Sequence, residues 1–391
     1  MNDLTLAVAG LAGSIGTTLA AGLAMLREGG KPQGLITELP WPRGAAAGPT
    51  LAERLGLPPL TSLKVAGWDL DTRPLSRSAA EKGILPPHAL ASVADRLEAL
   101  SPFPGVAAPR SEWVDRARGW IEEVRAGGRD LVIVDLLPTT PTPRAGEVYQ
   151  DADAFELALR ADCPGITPSM VYAWLALSSG VPYLNFTPNV SAEIPALRET
   201  ARRTGTPFCG KDGKTGQTLL KTALAPMLAL RGLQVQGWIS ANYLGNADGQ
   251  NLSEPGRAEE KLHNKAGVLE PILGYAVPDH IVDIRYYGPR GDFKESWDNI
   301  DLLGFGDIPM QLKVNFLCAD SALAAPLVVD AARLLHRAAA DGASGPQPHL
   351  SAFFKQPLAD EAPQHDLFRQ RTLLEEWVAG APHTHGNGRG A

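Results

Sequence analysis

The sequence predicts an α/β fold: a Rossmann-type doubly wound parallel sheet interrupted by an inserted α+β unit. Three observations carry this. Short apolar runs ending in glycine or an acid alternate with helical stretches over roughly the first 218 residues. After about residue 231 the pattern changes to β-branched, alternating segments. A long amphipathic helix at 320–342 then returns the chain to its earlier style.

Taken in order, TLAVA at 5–9 reads as a strand buried on both faces, followed by Gly10, Gly13 and Gly16 and a helix TTLAAGLAML. Residues 39–60, rich in Pro, Gly and Ala, read as a long surface excursion. LKVAGWDLD is a second strand ending on Asp69 and Asp71. Helical patterns at 89–100 and 111–126 precede the strand DLVIVDLLP at 130–138. A helix at 168–180 leads to VPYLNFTPN at 181–189 and TPFCGKDGKTGQT at 206–218, both strand-plus-loop segments. LQVQGWISANYL, HIVDIRYYG and PMQLKVNFLC supply the more open sheet. The tail HTHGNGRGA reads as disordered.

With 391 residues the chain can hold two domains, or one large domain with an insertion. Its formal net charge of -7 and the absence of a basic run argue against a nucleic-acid partner. Three widely separated cysteines (Cys163, Cys209 and Cys318) fit a reducing compartment rather than a disulfide framework. The apolar run 5–26 imitates a membrane span, but no basic region precedes it and its glycines fall where a nucleotide loop needs them. It is therefore read as a buried strand and helix, without membrane association, in a cytoplasmic protein.

Gly10-x-x-Gly13-x-x-Gly16, with Ser14 opening the helix, can carry a pyrophosphate. Glycines allow backbone N–H groups to approach the ligand, and a helix N-terminus favours an anion. Ala12 stands where the common motif has a second glycine, and close strand–helix packing would also explain the pattern. Two acids compete for the adenosine ribose. Glu38 has the spacing of a minimal unit; Asp69 ends the better strand and is preferred. An acid there repels a 2′-phosphate, which selects NAD over NADP.

Over most of the chain, motifs in one order resemble the inositol-phosphate synthase family. Gly210-Lys-Asp-Gly-Lys-Thr-Gly-Gln-Thr218 is similar to G-D-D-x-K-S-G-Q-T, and Ser240-Ala-Asn-Tyr-Leu-Gly-Asn-Ala-Asp-Gly249 to S-Y-N-H-L-G-N-N-D-G. Gly291-Asp-Phe-Lys294 resembles G-D-S-K, and Cys318 to Pro326 resembles C-E-D-S-L-L-A-A-P. Gly67-Trp-Asp69 matches G-W-D, and Val181 to Pro188 is similar to V-P-Y-I-N-G-S-P.

The resemblance implies an NAD-binding Rossmann domain at 1–218, an inserted catalytic and tetramerisation domain at 219–320, a return to the Rossmann domain at 321–380 and a disordered tail at 381–391. It also implies a homotetramer and a reaction without net redox change on a sugar 6-phosphate. Glucose 6-phosphate is oxidised at C5 by bound NAD, enolised toward C6, closed onto C1 and re-reduced.

Such chemistry needs fixed cations where negative charge develops on oxygen, and lysines can both hold that charge and exchange protons. By resemblance, Lys261 and Lys294 handle the C5 oxygen, Lys355 the attacked carbonyl and Lys265 the phosphate, with Asp320 completing the catalytic set. Lys261 and Lys265, spaced i, i+4, would share one helix face. Thr215, Gly216, Gln217 and Thr218 open an apolar helix suited to a phosphate monoester, joined by Asn242; the plainer reading makes Thr215 an ordinary N-cap. Asn185, Pro188, Asp212 and Asp248 match positions near the cofactor, and Asn246 with Asp248 leaves room for a divalent or monovalent cation.

Several positions depart from the family: Tyr243 for His, Ala247 for Asn, Lys211 for Asp, Phe186 for Gly, Asn189-Val190 for Gln-Asn, and the loop Asp135-Leu-Leu-Pro138. The lysines persist while the lining changes. A divergent enzyme closing a five-membered ring from fructose 6-phosphate is thus one alternative, and a non-catalytic NAD-binding oligomeric regulator another.

Overall fold

The computed structural model describes residues 3–42, 48–144, 146–245 and 267–381. Its first strands are β1 (Asp3–Ala9), β2 (Lys64–Asp69), β3 (Phe103–Pro104), β4 (Arg129–Asp135), β5 (Tyr183–Asn185) and β6 (Pro207–Cys209). A second group follows: β7 (Gln234–Leu244), β8 (Asp279–Tyr286), β9 (Phe293–Leu303) and β10 (Pro309–Ala319). The short β11 (Gly345–Pro346) closes the series. Seven of these form one parallel sheet in the order β11-β6-β5-β4-β1-β2-β3.

β1 is central because both its faces are apolar. Leu4, Leu6 and Val8 pack with the helices Ser14–Arg27 and Asp320–Ala340. Ala7 and Ala9 face the helices Arg110–Ala126 and Pro168–Ser178 across Trp68, Trp113 and Tyr172. Gly67 is required within β2, since a Cβ there would overlap the Val8 carbonyl of β1. Strand order reverses between β1 and β4, so a crevice opens beyond the carboxyl ends of those two strands.

The other four strands form a separate sheet, β10-β9-β7-β8, antiparallel except for the β7–β8 pair. The helix Gly216–Leu230 covers its inner face, burying Ala225 and Leu228 against Val235, Trp238, Ile300 and Leu302. Because β11 joins β6 from beyond this unit, the four-stranded sheet interrupts the seven-stranded one along the chain.

Some sequence expectations need correction. The excursion at 39–60 is not wholly a surface feature. It contains the helix Leu51–Leu55, started by a Thr50–Glu53 capping box, and Leu51, Leu55 and Leu57 enter the main core. The helix expected at 89–100 is two short ones, Pro87–Ala91 and Ala94–Glu98. β9 was not foreseen as a strand. Of the expected tail, Ala381 is buried, and 382–391 lie outside the described residues.

Candidate active site

Two lysine–carboxylate pairs meet where the two sheets adjoin. Lys294 lies on the inner face of β9, and its Nζ is 3.6 Å from Asp320 Oδ2. Asp320 opens the long helix leaving β10, and its Oδ1 accepts the Thr215 hydroxyl at 2.8 Å. Burial alone would raise the Asp320 carboxyl. Lys294, the Thr215 hydroxyl and the more distant Lys355 outweigh it and hold the group below the usual range. In the second pair, Lys355 Nζ donates to Asp212 Oδ1 at 2.7 Å.

Asp212 is delivered by a tightly fastened segment. With φ +58° it turns the chain after β6. Its N–H donates to Thr187 O, and its carbonyl accepts the Lys355 N–H at 2.7 Å. Gly213 and Phe354 form a β-bridge beside it.

Thr215 is the N-cap residue of the helix Gly216–Leu230, but makes no side-chain cap bond because its hydroxyl goes to Asp320. Gly216 has φ +54°, a left-handed conformation that favours glycine, and a Cβ there would sit in contact with Lys294 Cε and Ser296 Oγ, each at 3.4 Å. Gln217 and Asn242 are fully buried, and their side chains are engaged internally. Asn242 Nδ2 donates to Gln217 Oε1 at 2.8 Å, and Gln217 Nε2 reaches Asp298 Oδ1 at 3.3 Å. Trp238 Nε1 and Ser240 Oγ donate to that same oxygen. Ser296 Oγ donates to Asn242 Oδ1. These two amides therefore set the height and rotation of the helix N-terminus. Thr218 Oγ1, by contrast, is buried and has no hydrogen-bond partner among the described residues.

The glycine loop lies across the crevice. Gly10, at φ +88°, abuts the Leu136 carbonyl, which a Cβ would approach to 2.7 Å. A Cβ at Gly16 would overlap the Leu11 carbonyl. Gly13 is the N-cap of the helix beginning at Ser14, which has no side-chain cap bond and no acid in its first turn. The first N–H groups of that helix thus remain for an anion. Asp69 Oδ2 accepts the Ala12 N–H at 2.8 Å and Oδ1 the Asp71 N–H at 3.1 Å. Each oxygen keeps lone pairs for a diol. This cradle suits a dinucleotide.

Across the crevice, Asn185 shapes the loop that carries Pro188. Its Nδ2 donates to Asn189 O and Ser191 Oγ, and its Oδ1 accepts the Thr187 N–H and hydroxyl. Asn189 then ties that loop to Pro138 and Thr140. Asp135 lies beneath, accepting the Tyr183 hydroxyl and the Leu137 N–H; burial pushes its carboxyl up.

A sequence model described as myo-inositol-1-phosphate synthase matches residues 216–321, from the first residue of the helix Gly216–Leu230 to the residue after Asp320. Inositol-3-phosphate synthase 1 of Bacteroides thetaiotaomicron is 36% identical over 402 residues, covering 94% of this chain and 93% of that one. The chain belongs to the inositol-3-phosphate synthase family. The rat synthase is 30% identical over 355 residues, 79% of this chain but 63% of the longer rat protein. Among solved structures, an inositol-3-phosphate synthase of Caenorhabditis elegans superposes with a TM-score of 0.86 at 21% identity, over 98% of this chain and 87% of that one. A synthase-related protein of Thermotoga maritima gives 0.76 at 22%, over 98% and 100%.

Within this synthase family chain, Lys294, Lys355, Asp320, Asp212 and Thr215 are brought together, while the glycine loop and Asp69 line the neighbouring crevice. Lys261, Lys265, Asp248 and Asn246 lie outside the described residues. No group of three or more His, Cys, Asp or Glu among the described residues could hold a metal. Tyr243 points away from Lys294. Alternation along β7 buries Asn242 and Leu244 and turns Tyr243 to the outer face.

Two buried lysines escaped sequence reasoning. Lys214 donates to Gln370 on the C-terminal helix Leu367–Gly380. Lys221 Nζ is 2.7 Å from His280 Nε2. Burial pushes both amines down to about 7, against the opposing charge of Asp298 in the case of Lys221. The available signal was a lysine inside the apolar helical run LLKTALAP.

Proposed function

We propose that the protein catalyses the NAD-dependent cyclisation of D-glucose 6-phosphate to 1D-myo-inositol 3-phosphate. The observation that carries this reading is the convergence of Lys294–Asp320 and Lys355–Asp212 at an anion-binding helix N-terminus. Gly10, Gly13, Ser14, Gly16 and Asp69 would hold the dinucleotide, with Asn185, Pro188 and Asp212 bordering it. When bound, NAD supplies a reversible hydride acceptor.

The substrate phosphate sits at the first turn of the helix Gly216–Leu230, where the Thr218 hydroxyl, which has no partner among the described residues, and the main-chain N–H groups donate to it. Lys294 would enter as the neutral amine, take the O5 proton as C5 is oxidised, and return it when C5 is reduced again. Its pairing with Asp320 keeps positive charge beside the C5 ketone, which favours enolisation toward C6. Lys355, paired with Asp212, stabilises the alkoxide formed when C6 attacks C1. From family resemblance, Lys261 shares the work at O5 and Lys265 contacts the phosphate, while Asp248 completes the cofactor surroundings; a cation is compatible with that last region.

We assign 1–218 and 321–380 to cofactor binding and 219–320 to catalysis and tetramer assembly. The outer face of the second sheet exposes Ile239, Ile281, Trp297 and Leu317, an apolar surface suited to a second copy of the chain. No described helix is long and apolar enough to cross a membrane, and the three unpaired cysteines suit the cytoplasm.

Purified protein with NAD should convert glucose 6-phosphate to a six-membered inositol phosphate, identified by NMR. A five-membered carbocycle from fructose 6-phosphate would replace this reading. No product from either sugar would refute it in favour of a regulator.

A further inference from the structure

Phe186 stands where the family pattern has glycine, and the fold gives it a specific neighbour. Its side chain turns beneath the loop after β6, so that a Cβ on Gly213 would overlap Phe186 Cε1 and Cζ and lie 2.6 Å from Cδ1. Residue 213 is therefore glycine because residue 186 fills its side-chain volume. The same ring packs edge-on against Phe354, with centroids 6.3 Å apart. Gly213 follows Asp212 and Phe354 precedes Lys355, and the two segments pair directly: Gly213 bridges Phe354, Lys214 N–H donates to Phe353 O, and Lys355 N–H donates to Asp212 O. Gly213 N–H also donates to Phe186 O at 3.0 Å. One ring thus supports both backbones that deliver the Lys355–Asp212 pair.

We propose that Phe186 is a positioning residue whose ring, traded against the missing side chain at 213, holds the Asp212 carboxylate on the Lys355 amine. This rests on the functional reading above, which makes Lys355 the group that stabilises the attacked carbonyl. Phe186 is buried and its ring packs on Phe354 beside Lys355, so its influence through that lysine should fall on turnover.

The test compares wild type with F186A, F186L and the exchange variant F186G/G213F, measuring kcat, KM for glucose 6-phosphate, NAD affinity and thermal midpoint. Phe186→Ala should lower kcat by roughly ten- to a hundredfold, the scale of a displacement of about 1 Å in a reacting group, with KM for glucose 6-phosphate within about threefold. Phe186→Leu should recover most of kcat, and the exchange variant should recover kcat by refilling the volume from the other side. If F186A does not fold, F186L and the exchange variant carry the comparison. Wild-type kcat in F186A overturns the proposal. So does a loss that follows only the unfolded fraction, or an exchange variant that regains its thermal midpoint but not its turnover. A wild type that makes no product overturns the functional reading itself, and this proposal with it.

Discussion

Replacing Asp320 by Asn removes one negative charge beside Lys294 while keeping an oxygen that can accept the Thr215 hydroxyl. Unit charges separated by 3.6 Å attract by about 4–5 kcal/mol at an effective dielectric near 20. Solvent reduces this, since the Asp320 side chain is 23% exposed although that of Lys294 is only 8% exposed. The amide dipole recovers a further part, leaving roughly 1.5–3 kcal/mol. If the pair serves mainly to keep a cation at O5 in the transition state, that loss falls on kcat, by about 10- to 100-fold at about 1.4 kcal/mol per decade. The assay is steady-state formation of inositol phosphate at saturating NAD, with the thermal midpoint recorded for each variant. A kcat within about twofold of wild type in a folded D320N would refute the argument, because Lys294 would then need no counter-charge.

Other perturbations test neighbouring links. Lys294→Ala should abolish turnover and leave NAD binding intact by calorimetry; substantial turnover would remove Lys294 from the mechanism. Gly10→Ala should abolish NAD binding, because its Cβ would meet the Leu136 carbonyl at a left-handed φ, and should cost about 1–3 kcal/mol in urea unfolding. Lys214 and Lys221, held down to about 7 by burial, give stability a pH slope. The unfolded chain keeps these protons up to about 10.4 and the folded chain releases them near 7, so stability should rise with pH across that window by about 1 kcal/mol per unit for each lysine. Lys214→Met and Lys221→Met should each flatten the slope seen in urea titrations between about pH 7 and 9.

Much of the first sheet was legible because β1 and β4 are apolar on both faces and end in residues with a chemical duty. What escaped was hidden by different physics. β3 and β11 have only two residues each, too few for a period. The leucines of the 39–60 excursion are separated by Pro and Gly, yet Leu51, Leu55 and Leu57 reach the core because a capping box gives that segment its one helical turn. β9 alternates cleanly, but its buried positions begin with Lys294, Ser296 and Asp298, so hydrophobicity has no period there.

That inversion also explains which parts of the candidate site the sequence revealed. Lys294, Lys355, Asp320, Asp212 and Thr215 were recognisable from motifs, and the fold brings them together from distant segments. Gln217 and Asn242 sit in the same motifs, and here their amides bond to each other, with Gln217 also reaching Asp298. Composition cannot distinguish these cases, because a polar residue facing inward satisfies either a ligand or a neighbour. Geometry can. Thr218 Oγ1 is buried without a hydrogen-bond partner among the described residues, whereas Asp298 Oδ1 accepts from three side chains. Under the proposed function the first would receive a phosphate oxygen, while the second ties down the helix on which Thr218 sits. A polar stripe at a period of two, facing a helix that starts on glycine, is therefore the sequence pattern to read as the wall of a site rather than as an exposed edge.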